Sequence, residues 1–303
     1  MRVARDPNRR RAAVAAAVGV ARRLGLPAAD PAVLHDGSNV LVHLRPASVV
    51  ARVPTTTALV RVDPAEHLAR EVALTRRLCA DGAPILGPAE GVDPGPHRDG
   101  ASVLTLWPLV DTALGPPAMD EVGRSLAVLH RALARVAPAE LAPPAAPLHP
   151  ARGETDLLLR RLHELGVLDG DDEALLRAEH ARVGEALAAS PLPVQPLHGD
   201  AHARNVLATA DGPLWFDFED CCVGPVAWDL ACLVAPSALA AEPALEAYAA
   251  AGGAIPSADR LEPFLDAREL QVVAWSLLFA TRFPEVQEPA RRRIEDLRRR
   301  LRR

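Results

Sequence analysis

Two short clusters carry the residues of this 303-residue chain that could do chemistry. The first is His198-Gly199-Asp200-Ala201-His202-Ala203-Arg204-Asn205; the second, after the apolar run PLWF, is Asp217-Phe218-Glu219-Asp220. Magnesium takes hard oxygen ligands and keeps several waters, so an Asp and an Asn beside nucleotide phosphates are enough to hold it. A further carboxylate can then orient an attacking hydroxyl. A loop followed by a hairpin would bring Asp200, Asn205 and Asp217 together, and phosphoryl transfer asks for that set. Two other readings fit the same residues. Asp and Asn favour turns and caps for purely structural reasons. His198, Asp200 and His202, if they lay on a strand, would share one face as zinc ligands of a hydrolase, although Gly199 and Arg204 favour a loop there.

The surrounding sequence indicates what must position these clusters. NVLVHL (39–44) and SVVARV (48–53), separated by Arg45-Pro46-Ala47, read as an antiparallel hairpin. From about Pro64, Leu68, Val72, Leu74 and Leu78 recur at helical spacing, and Asp81-Gly82 supplies a stop. Two more strand-like runs, around 85–92 and 102–109, are split by the turn-rich DPGPHRDG. Ahead of all these, Val14, Val18, Ala21 and Leu24 predict a packed amphipathic helix rather than an export signal.

After Met119 the pattern turns helical, in EVGRSLAVLHRALARV, TDLLLRRLHELGVL and EALLRAEHARVGEAL. The Pro-rich stretch 137–153 reads as an irregular loop and a candidate lid. Strand-like runs between 194 and 218 interrupt the helices, and Trp228 begins a helical region that continues to the Arg-rich end.

Composition narrows the function. A hydrophobic fraction of 49% supports a real core. The net charge of −5 argues against a nucleic-acid partner held on a broad basic surface. All basic residues are Arg, and Cys79, Cys221, Cys222 and Cys232 form no CxxC pair, so they read as reduced thiols of a cytoplasmic protein. No run reaches the roughly 20 apolar residues of a membrane span. The acidic run LDGDDEALL (168–176) either attracts a cationic acceptor or starts a helix, where its charges complement the dipole. RRRIEDLRRRLRR at the C-terminal end reads as a solvated helix end in preference to an RNA or membrane contact.

With these residues in order, His198-Gly199-Asp200 with Asn205, followed by Asp217-Phe218-Glu219, resembles the HGDxxxxN and DxD/E elements of the aminoglycoside phosphotransferase and choline kinase superfamily, small-molecule relatives of the protein kinases. The resemblance extends to the front of the chain. Gly37-Ser38-Asn39 is similar to the family's nucleotide loop, Arg52 falls where the strand-three lysine would be, and Glu71 is its helix partner. It implies an α+β bilobal protein-kinase-like fold, with a small β-rich nucleotide lobe over 1–107 and a larger helical catalytic and acceptor lobe over 108–303, hinged near Trp107–Val110.

It also implies transfer of the γ-phosphoryl of ATP or GTP to a small-molecule hydroxyl. Asp200 would be the catalytic base, Asn205 and Asp217 the Mg²⁺ ligands, and Asp229 the tie that holds the catalytic loop. Glu219 and Asp220 either assist with metal or face water. Aminoglycoside or other antibiotic, choline-like, sugar and amino-acid acceptors all fit. A nucleotide-binding pseudokinase is the alternative, since Arg replaces Lys and the nucleotide loop has a single Gly.

Overall fold

A computed structural model describes residues 7–111, 115–141, 146–234 and 241–302. Helix α1 (Pro7–Arg23) buries Ala13, Ala16, Ala17, Val20 and Ala21 against the sheet that follows. Its inner face is thus rotated from the expected one, and Val14 and Val18 are only half-buried. The small alanine side chains let the helix lie close to the strands, where valines would hold it off.

The sheet is built from β1 (Ala32–Asp36), β2 (Asn39–His43) and β3 (Val49–Pro54), then, beyond helix α2 (Pro64–Ala80), β4 (His97–Asp99) and β5 (Ser102–Pro108). Its order is β1-β2-β3-β5-β4, antiparallel throughout. Register sets Leu41 opposite Arg52 and Arg52 opposite Thr105, so Arg52 sits on the central strand. Of the two strands expected over 85–92 and 102–109, only the second forms. Residues 85–92 are irregular, because Pro88 has no N–H to donate and Gly87 and Gly91 weaken extended structure. The partner of β5 is instead the short His97–Asp99, inside the stretch that reads as a turn.

Helix α2 starts where its chemistry requires. The Asp63 side chain accepts the Ala65 N–H at 3.0 Å, and Pro64 occupies the first turn. Leu68, Val72, Thr75 and Leu78 bury one face, and Glu71 lies on that same face with no solvent exposure.

The second part of the chain comprises α3 (Met119–Leu133), α4 (Thr155–Glu164), α5 (Gly170–Ala188), β6 (Gln195–Leu197), β7 (Val206–Thr209), β8 (Gly212–Trp215), β9 (Cys222–Gly224), α6 (Ala227–Val234), α7 (Ala241–Ala250), α8 (Ala258–Ala280) and α9 (Gln287–Arg300). The β7–β8 hairpin closes at Gly212, and β6 pairs with β9. These two small ladders frame both chemical clusters. Trp215 and Phe218 anchor them in a core shared with Leu126, Leu129, Leu230 and Tyr248.

The Pro-rich stretch is more regular than expected. Pro138–Glu140 form a 3₁₀ turn, and Pro150–Glu154 form a π-helical turn that runs into α4, burying Pro150, Ala151 and Glu154; residues 142–145 lie outside the described residues. The acidic run is the start of α5. Asp169 caps it through the Asp172 N–H at 2.8 Å, Asp172 pairs with Arg298, and Glu173 binds His163 and Arg177. Arginines of α9 likewise face carboxylates: Arg300 pairs with Asp266 and Glu269, and Arg299 with Asp296. Through Arg298 and Arg300 the basic C-terminal end thus clasps α5 and α8. Among the described residues no helix is long and apolar enough to cross a membrane.

Candidate active site

Asp200 and Asn205 occupy a loop between β6 and β7 whose shape is set by one buried acid. Asp229, on α6 and fully buried, accepts the backbone N–H groups of His198 and Gly199 at 2.9 Å each, and its Oδ2 lies 3.1 Å from His130 Nε2. The Trp228 indole N–H donates to Gly199 O at 2.7 Å. Gly199 has φ +90°, and a Cβ there would lie 1.9 Å from Asp220 O, so only glycine lets the two clusters touch. Replacing Asp229 by Ala leaves two buried N–H donors unpaired. We expect about 2–6 kcal/mol of lost stability, at about 1–3 kcal/mol per orphaned donor, readable in urea unfolding.

The two histidines do not form a zinc set with Asp200. The segment is a loop, and the buried His198 ring places Nε2 2.9 Å from Phe216 O and packs on Phe218 and Trp215. No cluster of three or more His, Cys, Asp or Glu suited to a metal occurs among the described residues. His198 shapes the loop from within.

Around Asp200 every contact has a direction. The Asn205 amide nitrogen donates to Asp200 O at 2.9 Å and to Oδ2 at 3.2 Å, which leaves the amide oxygen as the atom a hard cation would take. His202 Nε2 lies 3.4 Å from Oδ2, and Arg268 Nη2 donates to Oδ1 at 2.6 Å. Burial raises the Asp200 carboxyl, but Arg268, His202 and His198 outweigh it and hold the group well below the usual carboxylate range. Asp200 is therefore ionised and, at 22% side-chain exposure, still open to a visiting hydroxyl.

Asp217 begins the second cluster with φ +66° and ψ +55°, the left-handed region that Asp tolerates better than most residues. Its carboxylate meets Arg52, which also pairs with Glu71. Glu71 Oε1 accepts the Phe218 N–H at 2.9 Å, so one buried side chain ties α2 to both Arg52 and the second cluster. The Arg52 guanidinium is 5.5 Å from the centroid of the Trp107 ring, and its planar fork reaches two carboxylates at once. Burial pushes Asp217 up to about 6, with Arg52 acting the other way.

Gly37 and Ser38 join β1 to Asn39, the first residue of β2, which points at this cluster: Asn39 Nδ2 donates to Glu219 Oε1 at 3.4 Å. Ser38 O accepts the N–H groups of Thr55 and Thr56, which fixes the loop over β3. The structure thus brings Asp200, Asn205, Asp217, Arg52, Glu71 and Asn39 together, with Gly37 and Ser38 adjoining through Asn39.

Sequence reasoning missed a second buried cation. Arg61, in the segment before α2, donates to Glu154 Oε1 at 2.7 Å, lies 3.3 Å from Glu219 and pairs with Asp220. Glu219 and Asp220 therefore do not simply face water. Burial lifts Glu219, but Arg61 and Arg52 outweigh it and lower the group, while burial dominates at Asp220 and raises it. His67 on α2, pushed down to about 2 by burial and then by Arg61, is neutral and donates from Nδ1 to Glu219 O at 3.2 Å.

Residues 31–264 match the family described as the phosphotransferase enzyme family. No curated protein matches the chain. Among solved structures it is similar to a choline/ethanolamine kinase family protein from Mesorhizobium loti, at 19% identity over 90% of this chain and 88% of that one, with a TM-score of 0.58. It is also similar to the amicoumacin kinase hAmiN in complex with AMP-PNP, Ca²⁺ and Ami, at 16% identity over 88% and 87% of the two chains, with a TM-score of 0.64. A third is the GDP and kanamycin complex of APH(2")-IIia, at 15% identity over 93% and 97%, with a TM-score of 0.62. Identities this low speak for the fold, a bilobal kinase-like α+β arrangement.

Proposed function

This chain belongs to the phosphotransferase enzyme family, and from that premise we propose that it moves the γ-phosphoryl group of ATP or GTP to a hydroxyl of a small molecule. The observation that carries the reading is the convergence of an ionised, partly open Asp200 with Asn205, Asp217 and the Arg52–Glu71 pair. Asp200 takes the acceptor proton as the acceptor oxygen bonds to the γ-phosphorus and the bond to the nucleoside diphosphate breaks. Arg52, oriented by Glu71, leaves Asp217 to bind phosphate oxygens, and the Gly37-Ser38-Asn39 loop covers them. Residues 1–107 form the nucleotide lobe in this reading, and 108–303 the catalytic and acceptor lobe.

Mg²⁺ fits the residues present. Asn205 and Asp217 offer hard oxygens, and beside them the buried Glu219 Oε2 and Asn39 Oδ1 have no hydrogen-bond partner among the described residues, Glu219 Oε2 having only Arg52 at 3.8 Å. Asn205 and Asp217 would hold it, and when bound it neutralises charge on the transferring phosphates. The four unpaired thiols fit a cytoplasmic enzyme.

Acceptor chemistry is the widest part of the proposal. Antibiotic, choline-like, sugar and amino-acid hydroxyl compounds all remain within it. At the acidic start of α5, Asp172 and Glu173 are already paired with arginines, which reduces what the run offers a cationic acceptor.

Thermal stability with ATP and with GTP, each with and without Mg²⁺, tests the reading. At about 100 times Kd a ligand adds about 2.7 kcal/mol by mass action, or about 5 °C in a protein of this size. The nucleotide that gives the larger Mg²⁺-dependent rise is the donor. No rise with either at millimolar concentration would defeat the proposal.

A further inference from the structure

One buried cation next to the proposed base belongs to neither lobe's nucleotide machinery. Arg268 projects from α8, and its side chain is only 8% exposed. Its two terminal nitrogens are divided: Nη2 donates to Asp200 Oδ1 and Nη1 to Gln271 Oε1, each at 2.6 Å. Gln271, one turn further along α8 and also buried, turns its amide nitrogen toward Pro150 O at 3.4 Å. The chain of contacts therefore runs from the π-helical turn at 150–154, through Gln271 and Arg268, to one oxygen of Asp200. Asn205 and His202 hold the other oxygen.

Such an arrangement needs a reason. Burying a guanidinium against a carboxylate gives little net stability compared with apolar packing of the same volume. Here it also leaves Arg268 Nε buried without a partner among the described residues. A scaffold that only had to join α8 to the catalytic loop could do so with leucine. What the guanidinium adds is orientation: with one oxygen gripped from α8 and the other from Asn205, the Asp200 carboxylate cannot rotate. A base that must meet a hydroxyl proton within hydrogen-bond reach gains rate from that restriction.

We infer that Arg268, braced by Gln271, is a positioning residue for phosphoryl transfer that fixes the Asp200 carboxylate toward the acceptor hydroxyl. The inference rests on the kinase reading above and adds to it a residue on the acceptor-side helix. Because Arg268 contacts neither Arg52 nor Asp217 in the described structure, its removal should leave nucleotide binding intact and strike the transfer step.

The test uses the full chain carrying Arg268→Gln, Arg268→Lys, Arg268→Ala or Gln271→Leu. Turnover of Mg–ATP or Mg–GTP is followed with water as acceptor and with any acceptor found by screening, alongside the nucleotide-induced thermal shift. Arg268→Gln is expected to lower kcat by about 10²-fold, the scale of losing one oriented donor at a reacting centre, with nucleotide KM and the thermal shift unchanged. Arg268→Lys should recover part of the rate, methylguanidinium should partly rescue Arg268→Ala, and Gln271→Leu should cost less than Arg268→Gln. Full kcat in folded Arg268→Gln overturns the inference. So does a loss that falls on nucleotide KM, or one that neither lysine nor methylguanidinium relieves. Wild-type protein that does not bind Mg–nucleotide, or binds it without ever consuming it, sinks the kinase reading itself, and this inference with it.

Discussion

Asp200→Asn should bind Mg–nucleotide as the wild type does and transfer phosphate about 10³-fold more slowly, within the range for loss of a positioned base. The substitution keeps the shape of the side chain and an oxygen for Arg268, so the loop held by Asp229 should survive. It removes the negative charge that accepts the acceptor's proton. It also leaves the buried Arg268 without its counter-charge, and some stability is lost for that reason. The measurement is therefore paired: single-turnover transfer, and the nucleotide-induced thermal shift on the same preparation. A folded Asp200→Asn that still turns over at a wild-type rate would remove Asp200 from the base role.

Asp217→Ala should have the opposite signature. Here the loss falls on binding: the Mg²⁺-dependent part of the thermal shift, about 5 °C under saturating conditions, should disappear, while any metal-independent part remains. Arg52 is freed in this variant from one of its two close carboxylate partners but stays fixed by Glu71, so the fold should hold. Turnover should fall by at least as much as in Asp200→Asn, because the proposed metal ligand and the phosphate position fail together. A Mg²⁺-dependent shift that persists at wild-type size would place the metal elsewhere.

Much of this site can be read in the sequence because it is local. Asp200 and Asn205 belong to one loop and Asp217 follows the next hairpin, whereas Glu71 is marked only by the family resemblance, its burial on α2 being visible in the structure. The parts that escape reading are of two kinds. β1 and β4 lie at the edges of the sheet and are short, and their sequences AVLHD and HRD show neither the alternation of a half-buried strand nor the apolar run of a buried one. Arg61 and Arg268 act across the fold: the first meets Glu154 at a separation of 93 residues, the second meets Asp200 at 68. No local pattern announces such pairs. For Arg268 a clue did exist, since Arg268 and Gln271 fall on the same buried face of α8 as Phe264, Ala267 and Ala274. Two polar side chains on an apolar helix face demand partners, and only the tertiary structure says which ones.

The absence of lysine from the chain has a consequence for how this site can be probed covalently. Nucleotide analogues that mark kinase sites by acylating a lysine amine have no side-chain amine to attack at position 52 or anywhere else in the protein. Dicarbonyl reagents such as phenylglyoxal, which condense with guanidinium groups, would have to be used instead. Arg52 and Arg61 are each 5% exposed, so such a reagent would reach them only when the structure around them opens. Its labelling rate at these two residues would then be a clock for that opening.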